Sequence, residues 1–127
     1  MKAKEISKLE GYKTIVRNSH EHKLLAIKVA RLAEKVLPLF EKENPKDKRP
    51  RLAIEAIEAW GQGKMELGMA SVRKLSLDAH TAARGAKTAA ATFAARAAGQ
   101  AIATWHVPNH ALAAEWYIGK IKLLAKK

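Results

Sequence analysis

The side chains of this sequence best suited to hold a metal or move a proton are histidines. His106 and His110 stand four residues apart across Val107-Pro108-Asn109, and His80 lies on an earlier segment that could fold back against them. Neutral imidazoles ligate divalent cations, and Asp78 or Glu115 could orient or complete such a set. Pro108 weakens that reading, because it is expected to break the helix between the two rings and spoil their shared face. His80, His106 and His110 are therefore metal candidates whose stronger expectation is packing or capping at an interhelix turn, and no cofactor is assigned. His20 and His22, at a helix start, are expected to be solvated.

Other chemistry is poorly supplied. The chain has no cysteine, which excludes disulfides, Cys-ligated zinc, iron-sulfur clusters and thiol catalysis. Ser71, Ser76 and the threonines occupy no nucleophile-elbow context. Glu55 and Glu58 lie three apart on a helix and could pair as carboxylates, but surface solvation is the ordinary explanation for such a pair. Gly61-Gln62-Gly63-Lys64 resembles a phosphate loop only superficially, since it lacks the full Gly-x-x-x-x-Gly-Lys-Ser/Thr spacing and a preceding strand. It reads as a helix stop. Trp60, Trp105 and Trp116 fall where helices should pack, so core positions are expected rather than a stacking platform. No catalytic residue is assigned, and the chain is expected not to be an enzyme.

Charge is the other chemical feature. The 127 residues include 24 Lys and Arg against 12 Asp and Glu, a formal net charge of +12. Such a surface attracts nucleic acid, acidic proteins or anionic lipid, largely without sequence preference. Helical spacing gathers Lys28, Arg31 and Lys35, and Lys120, Lys122, Lys126 and Lys127 make the end of the sequence basic. A basic nucleic-acid-associated protein is thus one reading, although no recognition-helix or RNA-binding signature accompanies the charge. The apolar region from Ala79 to Ala114 is broken by Arg84, Lys87, Arg96, His106 and His110, well short of the roughly 18 uninterrupted apolar residues of a membrane span. Met1-Lys2-Ala3-Lys4-Glu5 leads into no signal-peptide stretch either, so a cytoplasmic protein without a membrane partner is expected.

The elements that must position these residues are helices. Glycine and proline are sparse, at 7 and 4 residues, while Ala, Leu, Lys, Glu and Arg dominate, which predicts an all-α, single-domain bundle of about five helices over residues 1–127. Residues 4–17 form a candidate short basic helix, with residues 1–18 loosely attached. Asn18 and Glu21 have the form of a capping box, with Ser19 as a competing N-cap. Leu25, Val29, Leu32, Val36 and Phe40 then trace one apolar stripe, kinked near Pro38 and ending near Glu43. Further helices are predicted from Pro50 to Trp60, from about Met65 to Arg84, from Lys87 to Trp105, and from Pro108 to Leu124. Of the 36 residues from Ala79 to Ala114, 16 are alanine, so the C-terminal helices should pack closely. The same small-residue faces would also allow pairing between two copies of the chain.

Three segments taken together carry a family resemblance. They are Val36-Leu37-Pro38-Leu39-Phe40-Glu41, then Arg49-Pro50-Arg51-Leu52-Ala53-Ile54-Glu55-Ala56 with Trp60 and Gly63, then Ala94 to Ala101 continuing through Ala103-Thr104-Trp105-His106-Val107-Pro108-Asn109-His110-Ala111. Over roughly residues 24–118 the chain resembles a bacterial family of alanine-rich helical immunity proteins, proposed to neutralise toxins used in competition between bacteria. Pro38, Pro50, Glu55, Trp60, His80, Arg84, Arg96, His106 and His110 match the family pattern, which assigns none of them a binding or catalytic role. The resemblance implies a non-catalytic protein-binding module whose partner is a cognate toxin. A nuclease toxin holds nucleic acid on a basic surface, so an inhibitor covering it should be acidic. At +12 this chain points instead to an acidic target, or to a charge unrelated to its partner, such as a Lys-rich thermophile composition.

Overall fold

Ser19 starts the first long helix. In a computed structural model that describes residues 11–126, its Oγ accepts a hydrogen bond from the His22 amide at 3.1 Å, satisfying one of the donors a helix start leaves open. Asn18, the other candidate cap, instead takes a left-handed turn at φ 66°, a conformation that asparagine tolerates better than most residues. Helix α1 then spans His20–Val36. The Leu37 amide still reaches the Ala33 and Glu34 carbonyls, but Pro38 has no amide to continue the ladder. It opens a separate single turn, α2, at Pro38–Glu41. The expected kinked helix to Glu43 is therefore two helices, joined at Leu37 and anchored there by the fully buried Leu37 and Phe40.

Helix α3 covers Arg49–Gly61, with Pro50 in its first turn and Gly63 just beyond its end at φ 76°. Helix α4, Met69–Arg84, begins four residues later than the apolar spacing predicted. Gly68 holds extended backbone there, and the Ser71 hydroxyl both donates to the Gly68 carbonyl at 3.0 Å and accepts from its amide at 3.3 Å. Met65 to Leu67 consequently run as irregular chain. Helix α5, Ala89–Ala103, is capped by the Thr88 hydroxyl, and α6 spans His110–Ala125. The predicted helix over residues 4–17 lies partly outside the described residues; Gly11 to Arg17 form turns rather than helix. Tyr12 fastens those turns to α6, its amide donating to Asn109 Oδ1 at 3.0 Å and its hydroxyl to Glu115.

The architecture is all-helical, as its composition implies, with no strand among the described residues. Helix α5 is central and packs against each of the other five helices of the described residues. Ala91, Ala94, Ala95, Ala97, Ala98 and Ala101 are completely buried along it, and their small side chains let neighbouring backbones approach closely. Helices α1 and α3 meet just as closely, because a Cβ at Gly61 would stand 2.8 Å from the Lys23 carbonyl oxygen. Around these contacts Leu25, Val29, Ile54, Ile57, Trp60 and Ile102 fill the core, each worth about 1.5–3 kcal/mol of apolar burial. The tryptophans divide. Trp60 is in the core, Trp105 is half-buried, and Trp116 is 56% exposed. Helix α6 packs inward through Ala111, Ala114, Ile118 and Ile121, which turns position 116 to the opposite side.

Candidate functional site

His80 and Arg96 are brought together where α4 crosses α5. The Arg96 guanidinium donates to His80 Nδ1 at 2.9 Å, so the neutral ring carries its proton on Nε2. Gly99 makes room for that ring, since a Cβ there would lie 2.6 Å from Nε2. One turn earlier the Ser76 hydroxyl donates to the Gly99 carbonyl at 3.0 Å. Burial, reinforced by the charges of Arg96 and Arg84, lowers the His80 pKa to about 4, because both disfavour a second positive charge.

His110 lies nearby and adds a smaller repulsion to His80. Its Nδ1 donates to Gln100 Oε1 at 3.0 Å, and burial, followed by the neighbouring His106, depresses its pKa. His106 is exposed. With His110, Met69, Arg73, Ser76 and Leu77 it lines an open groove of about 190 Å3 between α4 and the turn joining α5 to α6. The two carboxylates considered as metal partners are engaged elsewhere, Asp78 with Lys74 at 2.7 Å and Glu115 with Tyr12. Among the described residues no group of three His, Asp or Glu side chains could hold a metal ion. Pro108 separates the histidines as expected, with α6 beginning only at His110.

His22, expected in solvent, is fully buried. Its Nδ1 accepts the Asn18 amide at 2.9 Å, its Nε2 donates to the Thr104 carbonyl at 2.7 Å, and its ring meets Trp60 edge-on at 4.8 Å. Burial holds its pKa below the ordinary histidine value, the Thr104 contact opposing the shift. Apart from the Asn18 amide its partners come from α3 and the end of α5, so the local sequence does not mark it as buried.

The basic stripe on α1 is partly neutralised. Arg31 pairs with Glu58 at 3.2 Å, and Lys28 donates to the Tyr12 hydroxyl at 3.1 Å. Glu58 is thereby committed to Arg31, and no hydrogen bond joins it to Glu55 among the described residues. Between α2 and α3, Arg51 grips Glu41 through two hydrogen bonds of 2.7 and 2.8 Å, which hold the Glu41 carboxyl below its usual pKa.

Two further surface grooves are more apolar. One, of about 470 Å3, lies between α3 and the chain entering α4, with Leu52, Glu55, Met65, Glu66, Leu67 and Leu75 in its walls. The other, of about 530 Å3, is lined by Phe93, Trp116, Lys120, Leu123 and Leu124. Leu52, Met65, Trp116 and Leu123 are each about half exposed. The sequence reading missed the first groove because Met65 and Leu67 looked like the opening turn of α4; Gly68 beside Ser71 is the local signal that separates them from it.

No helix of the described residues is long and apolar enough to cross a membrane. No curated protein and no solved structure matches the chain at a significant level. A family model does, over residues 16–127, a span that takes in the six helices of the described residues and every groove described above. By that match, and in keeping with the resemblance carried by its proline, tryptophan and histidine segments, the chain belongs to the Imm-5 like putative immunity protein family.

Proposed function

We propose that this chain is a non-catalytic protein-binding module that neutralises a bacterial toxin in the cytoplasm. The observation that carries this reading is the family match across residues 16–127. The structure is consistent with it in one respect that matters for binding. A small-residue core supports large, half-exposed apolar side chains on the outside, the kind of surface that protein partners cover. The titratable groups brought together at His80, Arg96 and His110 are engaged with one another and with Gln100, an arrangement suited to holding α4, α5 and α6 in place.

The reading requires a secreted multidomain toxin encoded beside this chain. Its toxic domain, mixed with the purified protein after nuclease treatment and at moderate salt, should elute with it as a stoichiometric complex. Retention of DNA or RNA, with affinity falling steeply as salt rises and no toxin complex, would replace this reading with the nucleic-acid one.

A further inference from the structure

The three surface grooves differ in the charge of their walls. The groove at the α5–α6 turn carries Arg73, His106 and His110, and the groove on α6 carries Lys120. The groove between α3 and the entry to α4 carries Glu55 and Glu66, with no Lys, Arg or His among its lining residues. That is the reverse of what a chain with twice as many basic as acidic residues presents elsewhere.

The two carboxylates also lack local partners. Among the described residues Glu34, Glu41, Asp47, Glu58 and Asp78 sit in ion pairs with Arg or Lys. Glu43 accepts the Lys87 and Thr88 amides, and Glu115 accepts the Tyr12 hydroxyl. Glu21 lies in the first turn of α1, where the helix dipole favours a negative charge. Glu55 and Glu66 make no ion pair or hydrogen bond among the described residues, and they share one apolar groove with Leu52, Met65, Leu67 and Leu75. Glu55 is the weakest of the three carboxylates acting on Arg51, after Glu41 and Glu34, and the Arg51 side chain is committed to Glu41.

We propose that this groove docks a cationic amphipathic segment of the partner protein, with apolar side chains in the groove and Lys or Arg against Glu55 and Glu66. The proposal rests on the reading of the chain as a protein-binding module and names the chemistry of the partner's segment. Charge complementarity selects the occupant: the rest of the +12 surface repels a cationic segment, so the carboxylate-lined groove is where it is accepted. The apolar floor suits side chains repeating at helical spacing. Local charge at the groove thus opposes the expectation of an acidic target drawn from net charge.

The test uses a short synthetic amphipathic helix of leucine and lysine, a control with glutamate at each lysine position, and titration of the full chain by calorimetry and by amide chemical shifts. The Leu/Lys peptide should bind at a single site, with shifts concentrated in residues 52–75 and little binding of the Leu/Glu control. Reversal at two exposed positions, Glu55→Lys with Glu66→Lys, should weaken binding at least about tenfold, with circular dichroism unchanged. Glu55→Gln with Glu66→Gln should give an intermediate loss, and Glu21→Lys should have little effect. Equal binding of the two peptides, insensitivity to the double reversal, or shifts centred on another face would overturn the proposal. A toxin complex that ignores the double reversal would refute the groove while leaving the protein-binding reading standing. Groove binding of the Leu/Lys peptide by a chain that forms no toxin complex would support the groove's chemistry and refute the toxin reading.

Discussion

His22 Nε2 lies 2.7 Å from the carbonyl oxygen of Thr104, 82 residues further along the chain, and the bond is buried. It ties the start of α1 to the end of α5, and the Asn18 amide on Nδ1 fixes the tautomer that makes it possible. Removing the ring leaves a cavity beside Trp60 and an unsatisfied carbonyl. His22→Ala should therefore cost about 2–4 kcal/mol in urea unfolding. A cost below about 0.5 kcal/mol, the range of ordinary surface substitutions, would contradict this placement.

The depressed pKa of His80 makes stability depend on pH. The folded protein binds this proton only near pH 4, whereas the unfolded chain binds it near 6.5. Stability from this group is thus fully present above about pH 6.5 and is lost as pH falls toward 4. His22 and His110, also depressed, act in the same direction. With solvent screening of the partly exposed His80 ring, its share should be about 1–2 kcal/mol. Thermal melts at pH 7.5 and 5 should show the loss, and His80→Gln should flatten it. An unchanged slope in that variant would count against the assignment.

Two helical glycines should respond oppositely to alanine. At Gly99 the new Cβ would meet His80 Nε2 at 2.6 Å, so Gly99→Ala should push the ring from Arg96 and destabilise by about 1–3 kcal/mol. At Gly119 a Cβ meets nothing within 4 Å, and the substitution should stabilise α6 by about 0.5–1 kcal/mol. Denaturant midpoints decide both, and the same sign at both positions would contradict the packing described.

Metal chelation should leave the melting temperature unchanged. His80 Nδ1 is occupied by Arg96 and His110 Nδ1 by Gln100, and Asp78 and Glu115 have other partners. Stoichiometric divalent metal in purified protein, lost on His106→Ala, would reverse this expectation.

Much of the helical order was legible because apolar spacing and punctuation agreed. Pro50, Gly63 and Gly85 bound helices where local chemistry alone predicts, and the alanine run does form the buried centre of the bundle. The misreadings arise where a distant contact decides. His22 looks like a polar residue on a first helical turn, and only α3 and the end of α5 make it a core residue. Trp116 looks like core until α6 is seen to pack through Ala111, Ala114, Ile118 and Ile121. Met65 fits the helical spacing of α4, yet the Gly68 and Ser71 cap starts that helix only after it. The carboxylate groove was illegible for the same reason, since Glu55 and Glu66 converge only once that segment folds back on α3.

Growth protection tests the central claim most directly. The toxic domain encoded beside this chain would be expressed in the cytoplasm of a sensitive bacterium, with and without this protein at matched levels. The account predicts that growth arrests with the toxin alone and is restored by co-expression, and that a 1:1 complex can be purified from the rescued cells. Unrelieved arrest with this protein folded and abundant, and no complex recovered, would contradict it.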